Sequence, residues 1–319
     1  MKVTDPSFDI PILFIVFTRL DTTIRVFERI KAIKPNKLYV SADGPRQGKE
    51  GEDAKVDAVR NYIIENVDWD CEVKTLFHEK NLGCKYSPQT AITWFFEQEE
   101  KGIVLEDDCL PSLSFFKYCS ELLHKYEHDL RVWGISGTNL QPEIEIENSY
   151  YFSHFFMTWG WASWRNRWQT HLSMLTNFDD FLNDPMVFKK LDNKIANQQI
   201  VERAKISYQD KLDAWDYQWI FSCFANNALL ATPSQNLIQN IGFGDGATHT
   251  GNSRGKQIME NDIDFPLAHP LILHANQKVD KLFFKKIFNW MTFYEKLTDS
   301  RFLKSFVSAR FGKFGNLFN

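Results

Sequence analysis

Up to about residue 110, this chain alternates short apolar segments with segments of helical periodicity, which restricts the folds that it can adopt. The apolar segments, predicted as strands, are 11–17, 38–41, 71–77 and 102–105. Between them, apolar residues recur at helical spacing in three segments, the last of which is 87–98. This alternation predicts an α/β fold with a mostly parallel sheet flanked by helices. Such sheets bind ligands beyond the carboxyl ends of their strands.

Three consecutive acidic residues, Glu106, Asp107 and Asp108, follow the fourth predicted strand. Carboxylates this close repel one another unless a cation neutralises them. Mg²⁺ and Mn²⁺ bind carboxylate oxygens and leave positions open for phosphate, so the triplet is a candidate site for a metal and a diphosphate. A solvated turn between strand and loop is the alternative interpretation, and three residues alone do not decide between the two.

The polar segments that follow the first, second and fourth predicted strands are Thr18-Arg19, Ser41-Ala42-Asp43-Gly44 and Glu106-Asp107-Asp108. In this order they resemble the nucleotide-sugar-dependent glycosyltransferases of the GT-A (Rossmann-like) fold. The metal motif of the N-acetylglucosaminyltransferase I type is also Glu-Asp-Asp, and an uncharacterised group of bacterial glycosyltransferase-like proteins is more similar still. The resemblance covers roughly residues 10–255 and includes 115–118, 159–161, 215–216 and His249.

The resemblance implies a role for each residue at these strand ends. It places Asp108 on the metal, Mn²⁺ or Mg²⁺. It places Asp107 near the ribose and Glu106 on hydroxyls of the donor sugar. It also implies that Asp43 contacts the uracil and that Arg19 contacts the nucleotide. Ordinary capping and turn chemistry is the alternative for Arg19 and Asp43, because Asp-Gly is a frequent turn dipeptide whatever the function.

A predicted apolar helix begins near Asp213 and carries Asp216 in its first turns. An acid at a helix start is usually a cap, which is the role expected for Asp213. Asp216 follows Trp215, as the catalytic base does in the family's Trp-Asp-Asp-Trp segment, and an inverting transfer needs a carboxylate to accept the acceptor's proton. The match departs from the family because Tyr217 replaces the second Asp and one more residue precedes Trp219.

Three further regions supply candidate contacts. The glycine-rich segment 241–251 contains His249, which the resemblance places on the metal or the diphosphate. Lys85, in a predicted turn, is a weaker candidate for the phosphates. In the aromatic-rich segment that starts at Tyr150, an α-helical insertion in the expected fold, Trp159 or Trp161 is expected to line the donor or acceptor pocket. The alternative is that these aromatic residues belong to the core.

The sequence predicts a catalytic domain over residues 1–276 and a helical tail over residues 277–319. From Lys281 onward the tail interleaves basic residues with phenylalanines, a composition that suits an anionic membrane surface. A helix packed on the domain is the equal alternative. Acidic residues outnumber basic ones, 41 to 37, which disfavours nucleic acid as a partner. The five cysteines lack paired spacing and no secretory leader is evident, so we expect a cytoplasmic protein, peripheral on the inner face of the membrane.

The sequence therefore predicts transfer of a sugar from a UDP-sugar to a hydroxyl of a glycan or glycolipid, in bacterial surface glycan synthesis. A sugar-nucleotide pyrophosphorylase is a less favoured alternative, because it needs a glycine-rich triphosphate loop after the first strand, where this chain has Thr18-Arg19-Leu20-Asp21. A non-catalytic module that binds nucleotide or sugar remains the other alternative.

Overall fold

The computed structural model describes residues 8–183, 194–242 and 258–283. The chain divides into two compact units, Met1–Asn276 and Gln277–Asn319. In the second unit the described residues, 277–283, are helical. His249 lies outside the described ranges, and so do the residues of the predicted tail beyond 283. No helix within those ranges is long and apolar enough to cross a bilayer.

The first unit is built on strands and helices in alternation. The strands in the described ranges are β1 (Ile12–Val16), β2 (Lys37–Ala42), β3 (Glu72–Phe77), β4 (Lys101–Glu106), β5 (Cys109–Pro111), β6 (Val132–Ser136), β7 (Tyr150–Ser153), β8 (Trp161–Trp164), β9 (Leu229–Pro233) and β10 (Ile238–Asn240). The helices there are α1 (Leu20–Ile33), α2 (Glu52–Asn66), α3 (Gly83–Gln98), α4 (Leu113–Lys125), α5 (Arg165–Thr176), α6 (Phe178–Asn183), α7 (Lys194–Tyr208) and α8 (Asp216–Ala225).

The main sheet has eight strands in the spatial order β3-β2-β1-β4-β8-β6-β9-β7. Strands β3, β2, β1 and β4 are parallel neighbours, and β6 is parallel to β9. Only β8 and β7, among the strands of this sheet, run against their neighbours. The predicted α/β class, a mostly parallel sheet flanked by helices, is confirmed.

Register sets the position of the functional edge of the sheet. Ile15 of β1 lies opposite both Ser41 of β2 and Glu106 of β4. The carboxyl ends of these three strands are therefore level, and the segments that follow them start side by side. Strand β8 enters between β4 and β6, with Trp161 opposite Val104.

Hydrophobic cores cover both faces of the sheet. Alternate side chains of a strand point to opposite faces. Accordingly, Phe14 of β1 packs in the core that contains residues of α1, α2 and α4, whereas Leu13 packs in the core that contains residues of α3, α5 and α8. The second core is rich in tryptophan, and its members include Trp133, Trp161, Trp168, Trp215 and Trp219. The segment from Tyr150 onward thus contributes mainly core aromatics.

Candidate functional site

Four carboxylates converge at the carboxyl end of β4. Asp107 is buried at 3% exposure, and Glu106 and Asp108 are half-buried. Burial, together with repulsion from Asp108, Asp107 and Asp216, raises the pKa of Glu106 to about 8. Burial also raises the pKa of Asp107 to about 6, although Arg19 opposes that shift. Asp216, at the start of α8, is therefore close enough to repel Glu106.

Arg19 supplies the positive charge in contact with this cluster. It directly precedes α1, and Thr23 fixes its backbone by donating from Oγ1 to the Arg19 carbonyl at 2.7 Å. The Arg19 Nη2 group donates to Asp107 Oδ1 at 2.5 Å and to Asp108 Oδ2 at 2.8 Å. The backbone N–H of Phe17 donates to the other Asp107 oxygen at 3.2 Å. Asp107 is thus held by two donors from the end of β1.

Gly242 packs against the same cluster and was not predicted as a site residue. Strand β10 pairs with β5, and the N–H of Ile241 donates to the Asp108 carbonyl at 2.8 Å. A Cβ at Gly242 would lie 2.2 Å from Asp108 Oδ2 and 2.7 Å from Arg19 Nη1, so no larger residue fits without displacing them. The run of glycines indicated a close approach of backbone to ligand, and here the close approach is to the carboxylate itself.

The charge balance of the cluster fits a divalent cation. One guanidinium group serves the triplet, Asp216 adds a further negative charge near Glu106, and no donor in the described ranges gives Glu106 a hydrogen bond. Within those ranges no group of three or more His, Cys, Asp or Glu side chains is arranged as a cage that could hold a metal ion. A Mg²⁺-type ion needs no such cage where substrate phosphates and water fill its remaining positions. Asp108, half-buried and carboxyl-terminal in the triplet, fits as the protein ligand.

Asp216 is the first residue of α8, and the residue before it, Trp215, is fixed by aromatic stacking. Its Oδ1 accepts a hydrogen bond from the N–H of Tyr217 at 3.0 Å. The preceding Trp215 stacks on Trp161, with ring centroids 5.8 Å apart. Trp161 is completely buried, at 0% exposure, so it presents no face to a sugar and instead supports the start of α8. Trp159 is half-buried and keeps a surface that a ligand can contact.

Asp43 is saturated by its own surroundings. Its Oδ1 accepts from the N–H groups of Gly44 and Leu82, and its Oδ2 accepts from the N–H of Gly83 and from Asn81 Nδ2, all at 2.8–3.0 Å. A carboxylate has about four acceptor positions, so none is left for a uracil. The expected direct contact with the base is therefore not supported. Asp43, at 7% exposure, instead shapes the 81–83 turn.

Lys85 and Asp213 also have partners that the sequence did not indicate. Lys85 is buried, and its Nζ donates to the Ser207 carbonyl and to Asp210 Oδ1, both at 2.6 Å. Its ammonium group is therefore committed to the end of α7 rather than to phosphates. Asp213 accepts from the N–H groups of Cys84 and Lys85, at 3.2 and 2.7 Å. It caps α3, not the helix that follows it, which corrects the expected role.

Cys84 lies where these elements meet. Burial raises the pKa of its thiol to about 11, and the carboxylates of Asp213, Glu106 and Asp43 add to the shift. The starts of α3 and α8 therefore adjoin the carboxyl ends of β2 and β4 in one site. Asn81 and Cys84 were not predicted as members, because a short turn between a strand and a helix carries no distinctive pattern.

Partial structural similarity connects the chain with proteins of known structure. HddC from Yersinia pseudotuberculosis is 10% identical, over 49% of this chain and 77% of that one, with a TM-score of 0.31. A UDP-glucose pyrophosphorylase complexed with UDP-glucose is 12% identical, over 52% and 80%, with a TM-score of 0.31. The 4-diphosphocytidyl-2C-methyl-D-erythritol synthase from Anaerococcus prevotii is 9% identical, over 60% and 82%, with a TM-score of 0.28.

Sequence comparisons add no relative. No family model and no curated protein sequence matches the chain. Structural similarity at these identities and TM-scores gives no information about activity, so the function has to be inferred from the residues of the site.

Proposed function

We propose that this protein is a metal-dependent glycosyltransferase of the GT-A type, which moves a sugar from a nucleotide-sugar to a hydroxyl acceptor. A UDP-sugar is the proposed donor. One observation carries this proposal: the Glu106–Asp108 triplet, paired with Arg19, faces a separate carboxylate, Asp216, across the same edge of the sheet. Such a pair of groups provides a place for a leaving diphosphate and a base for the attacking hydroxyl.

The triplet and Arg19 form the donor side. Asp108 would hold Mn²⁺ or Mg²⁺, which neutralises charge on the diphosphate when bound. Arg19, which is charged at all relevant pH values, adds a donor for the nucleotide. Asp107 is assigned to the ribose. Glu106 is assigned to hydroxyls of the donor sugar, with which a carboxyl group exchanges hydrogen bonds.

Asp216 forms the acceptor side. The acceptor oxygen attacks the anomeric carbon, the bond from that carbon to the diphosphate oxygen breaks, and the acceptor proton passes to the Asp216 carboxylate. One displacement of this kind inverts the anomeric configuration. The half-buried Trp159 is the proposed aromatic contact of a sugar ring, in keeping with a glycan or glycolipid acceptor. His249, outside the described ranges, stays a proposed contact of the metal or diphosphate.

The loop after β1 disfavours the pyrophosphorylase alternative. Strand β1 ends at Val16 and α1 begins at Leu20, so only three residues connect them. One of the three, Arg19, is bound to Asp107 and Asp108. A triphosphate loop needs more backbone N–H groups than this connection supplies.

The proposed location, on the inner face of the membrane, depends on the tail and not on this site.

Product formation from a panel of nucleotide-sugars tests the proposal. The protein should release UDP from one of the UDP-sugars in the presence of Mn²⁺, faster with a hydroxyl acceptor, and should lose this activity with a chelator. A parallel reaction with UTP and sugar 1-phosphates should release no pyrophosphate. Pyrophosphate release would replace the proposal with a pyrophosphorylase. Tight binding of UDP with no turnover on any donor would identify a binding module.

A further inference from the structure

The segment that leads into Asp216 is irregular, and specific contacts fix its conformation. Residues 209–215 connect α7 to α8 without forming a helix or strand. Asp210 adopts a φ of 56° within the cap that ends α7, where the N–H groups of Asp210 and Lys211 donate to the carbonyls of Ser207 and Ile206. Further along the segment, Ser207 Oγ donates to the Ala214 carbonyl at 2.6 Å. The position of Asp216 therefore depends on the contacts that fix this segment.

The start of α3 supplies the side-chain contacts that join this segment to the rest of the site. Lys85 Nζ donates to the Ser207 carbonyl and to Asp210, and Tyr86 donates from its hydroxyl to the same Asp210 oxygen at 2.6 Å. The Asp213 carboxylate accepts the N–H groups of Cys84 and Lys85. We call the side chains of Lys85, Tyr86, Asp210 and Asp213 the α3 clamp. It holds the segment at its beginning and, three residues before Asp216, near its end.

The backbone at the start of α3 is shared between two carboxylates. The N–H groups of Leu82 and Gly83 go to Asp43, and those of Cys84 and Lys85 go to Asp213. The two carboxylates together accept from four consecutive N–H groups that the start of a helix otherwise leaves unpaired. The turn that Asp43 shapes, beside the donor site, and the segment that carries Asp216 therefore have one common anchor.

We infer that Lys85 and Asp213 are positioning residues, which fix the catalytic carboxylate of Asp216 by clamping the 207–215 segment to the start of α3. This inference rests on the proposed role of Asp216. Neither residue touches substrate. Their removal lowers the rate of transfer because a base displaced by about 1 Å no longer lies within hydrogen-bond reach of the acceptor hydroxyl. Donor binding, which depends on the triplet and Arg19, is retained.

Lys85→Met and Asp213→Ala test the clamp, with Lys85→Arg as the conservative variant. Lys211→Met is a matched control, because Lys211 lies in the same segment and its Nζ donates to Gln209 Oε1, a contact within the segment itself, at 2.9 Å. Both clamp variants should transfer about 10- to 100-fold more slowly, with UDP affinity changed by less than about twofold. Lys85→Arg should recover most of the rate, and Lys211→Met should match the wild type.

Hydrogen exchange at 209–216 tests the clamp independently of activity. Both clamp variants should exchange faster in this segment, and the control should not. Wild-type turnover in the clamp variants, or a parallel loss of turnover and UDP affinity, would overturn the positioning role. Unchanged exchange would overturn the clamp itself, whether or not the protein is a transferase. Absence of transfer by the wild type would instead remove the proposed function, and exchange would then decide the clamp alone.

Discussion

The guanidinium group of Arg19 lies 2.5 Å from a carboxylate oxygen of Asp107 and, through the same nitrogen, 2.8 Å from Asp108. One cation from the end of β1 thus bridges two acids from the end of β4. The bridge offsets part of the repulsion within the triplet and leaves Glu106 without an equivalent partner in the described ranges. The Arg19 guanidinium and the proposed metal therefore compete for the carboxylate of Asp108.

Replacement of Asp108 by alanine should abolish metal-dependent binding of a nucleoside diphosphate. Affinity for UDP in the presence of Mn²⁺ should fall by about 100-fold or more, because the carboxylate proposed as the protein ligand is gone. Titration calorimetry with and without Mn²⁺ measures the effect. Asp180→Ala, an exposed acid on α6, is the control and should leave affinity unchanged. Unchanged UDP affinity in Asp108→Ala would refute the metal assignment.

Asp216→Asn should bind the donor normally and transfer poorly. The amide keeps the shape of the carboxylate but accepts no proton, so turnover should fall by about 10²- to 10⁴-fold. Asp213→Asn should be milder, since its amide oxygen still accepts from the start of α3. Turnover and donor affinity of both variants decide the matter. A product that retains the donor's anomeric configuration would exclude a single displacement with Asp216 as the base.

In metal-free buffer, ionisation of Glu106 should destabilise the fold as pH rises. Its folded pKa, about 8, exceeds the ordinary glutamate pKa of 4.5, so between these values the folded state binds more protons than the unfolded state. Stability therefore falls from about pH 4.5 to pH 8. Glu106→Gln should flatten this slope and raise the melting temperature at pH 8. Scans of both proteins across this range in chelator provide the measurement, and equal slopes would contradict the prediction.

His171 should produce the opposite slope at acid pH. Burial lowers its pKa from 6.5 to about 3, and its Nδ1 is hydrogen-bonded to Ser222 Oγ at 2.8 Å. Below about pH 6.5 the imidazole of His171 binds a proton in the unfolded state but not in the folded state. The free energy of unfolding therefore decreases as pH falls from about 6.5 towards 3. His171→Gln should weaken this loss, whereas His124→Gln, at an exposed position, should not. Chemical unfolding at several pH values compares the slopes.

Truncation before Lys281 should release the protein from anionic vesicles without loss of transfer to a soluble acceptor. The expected cause is removal of basic and aromatic residues that bind a charged membrane surface. Co-sedimentation at low and high salt tests it. If the full-length chain does not sediment with anionic vesicles at low salt, the tail has another role.

Local sequence patterns were sufficient to predict the parallel half of the sheet and the edge at which the candidate site lies. Apolar runs and helical spacing depend on neighbours in sequence, and level strand ends then bring Arg19 and the triplet together. The partners of Lys85 and Asp213 could not be predicted in this way, because they lie more than 120 residues apart in sequence. Burial of Trp161 likewise depends on the insertion of β8 between β4 and β6.

The reversed strand β8 also affects synthesis of the chain. It lies between β4 and β6 but follows both in sequence, so a nascent chain that ends before Trp161 leaves one edge of β4 and both edges of β6 without their partners. Open strand edges pair readily with other chains. We therefore expect emergence of residues 161–164 from the ribosome to let β8 join β4 to β6, and emergence of residues 229–233 to complete the sheet by joining β6 to β7. Nascent chains truncated before residue 161 should depend most on chaperones.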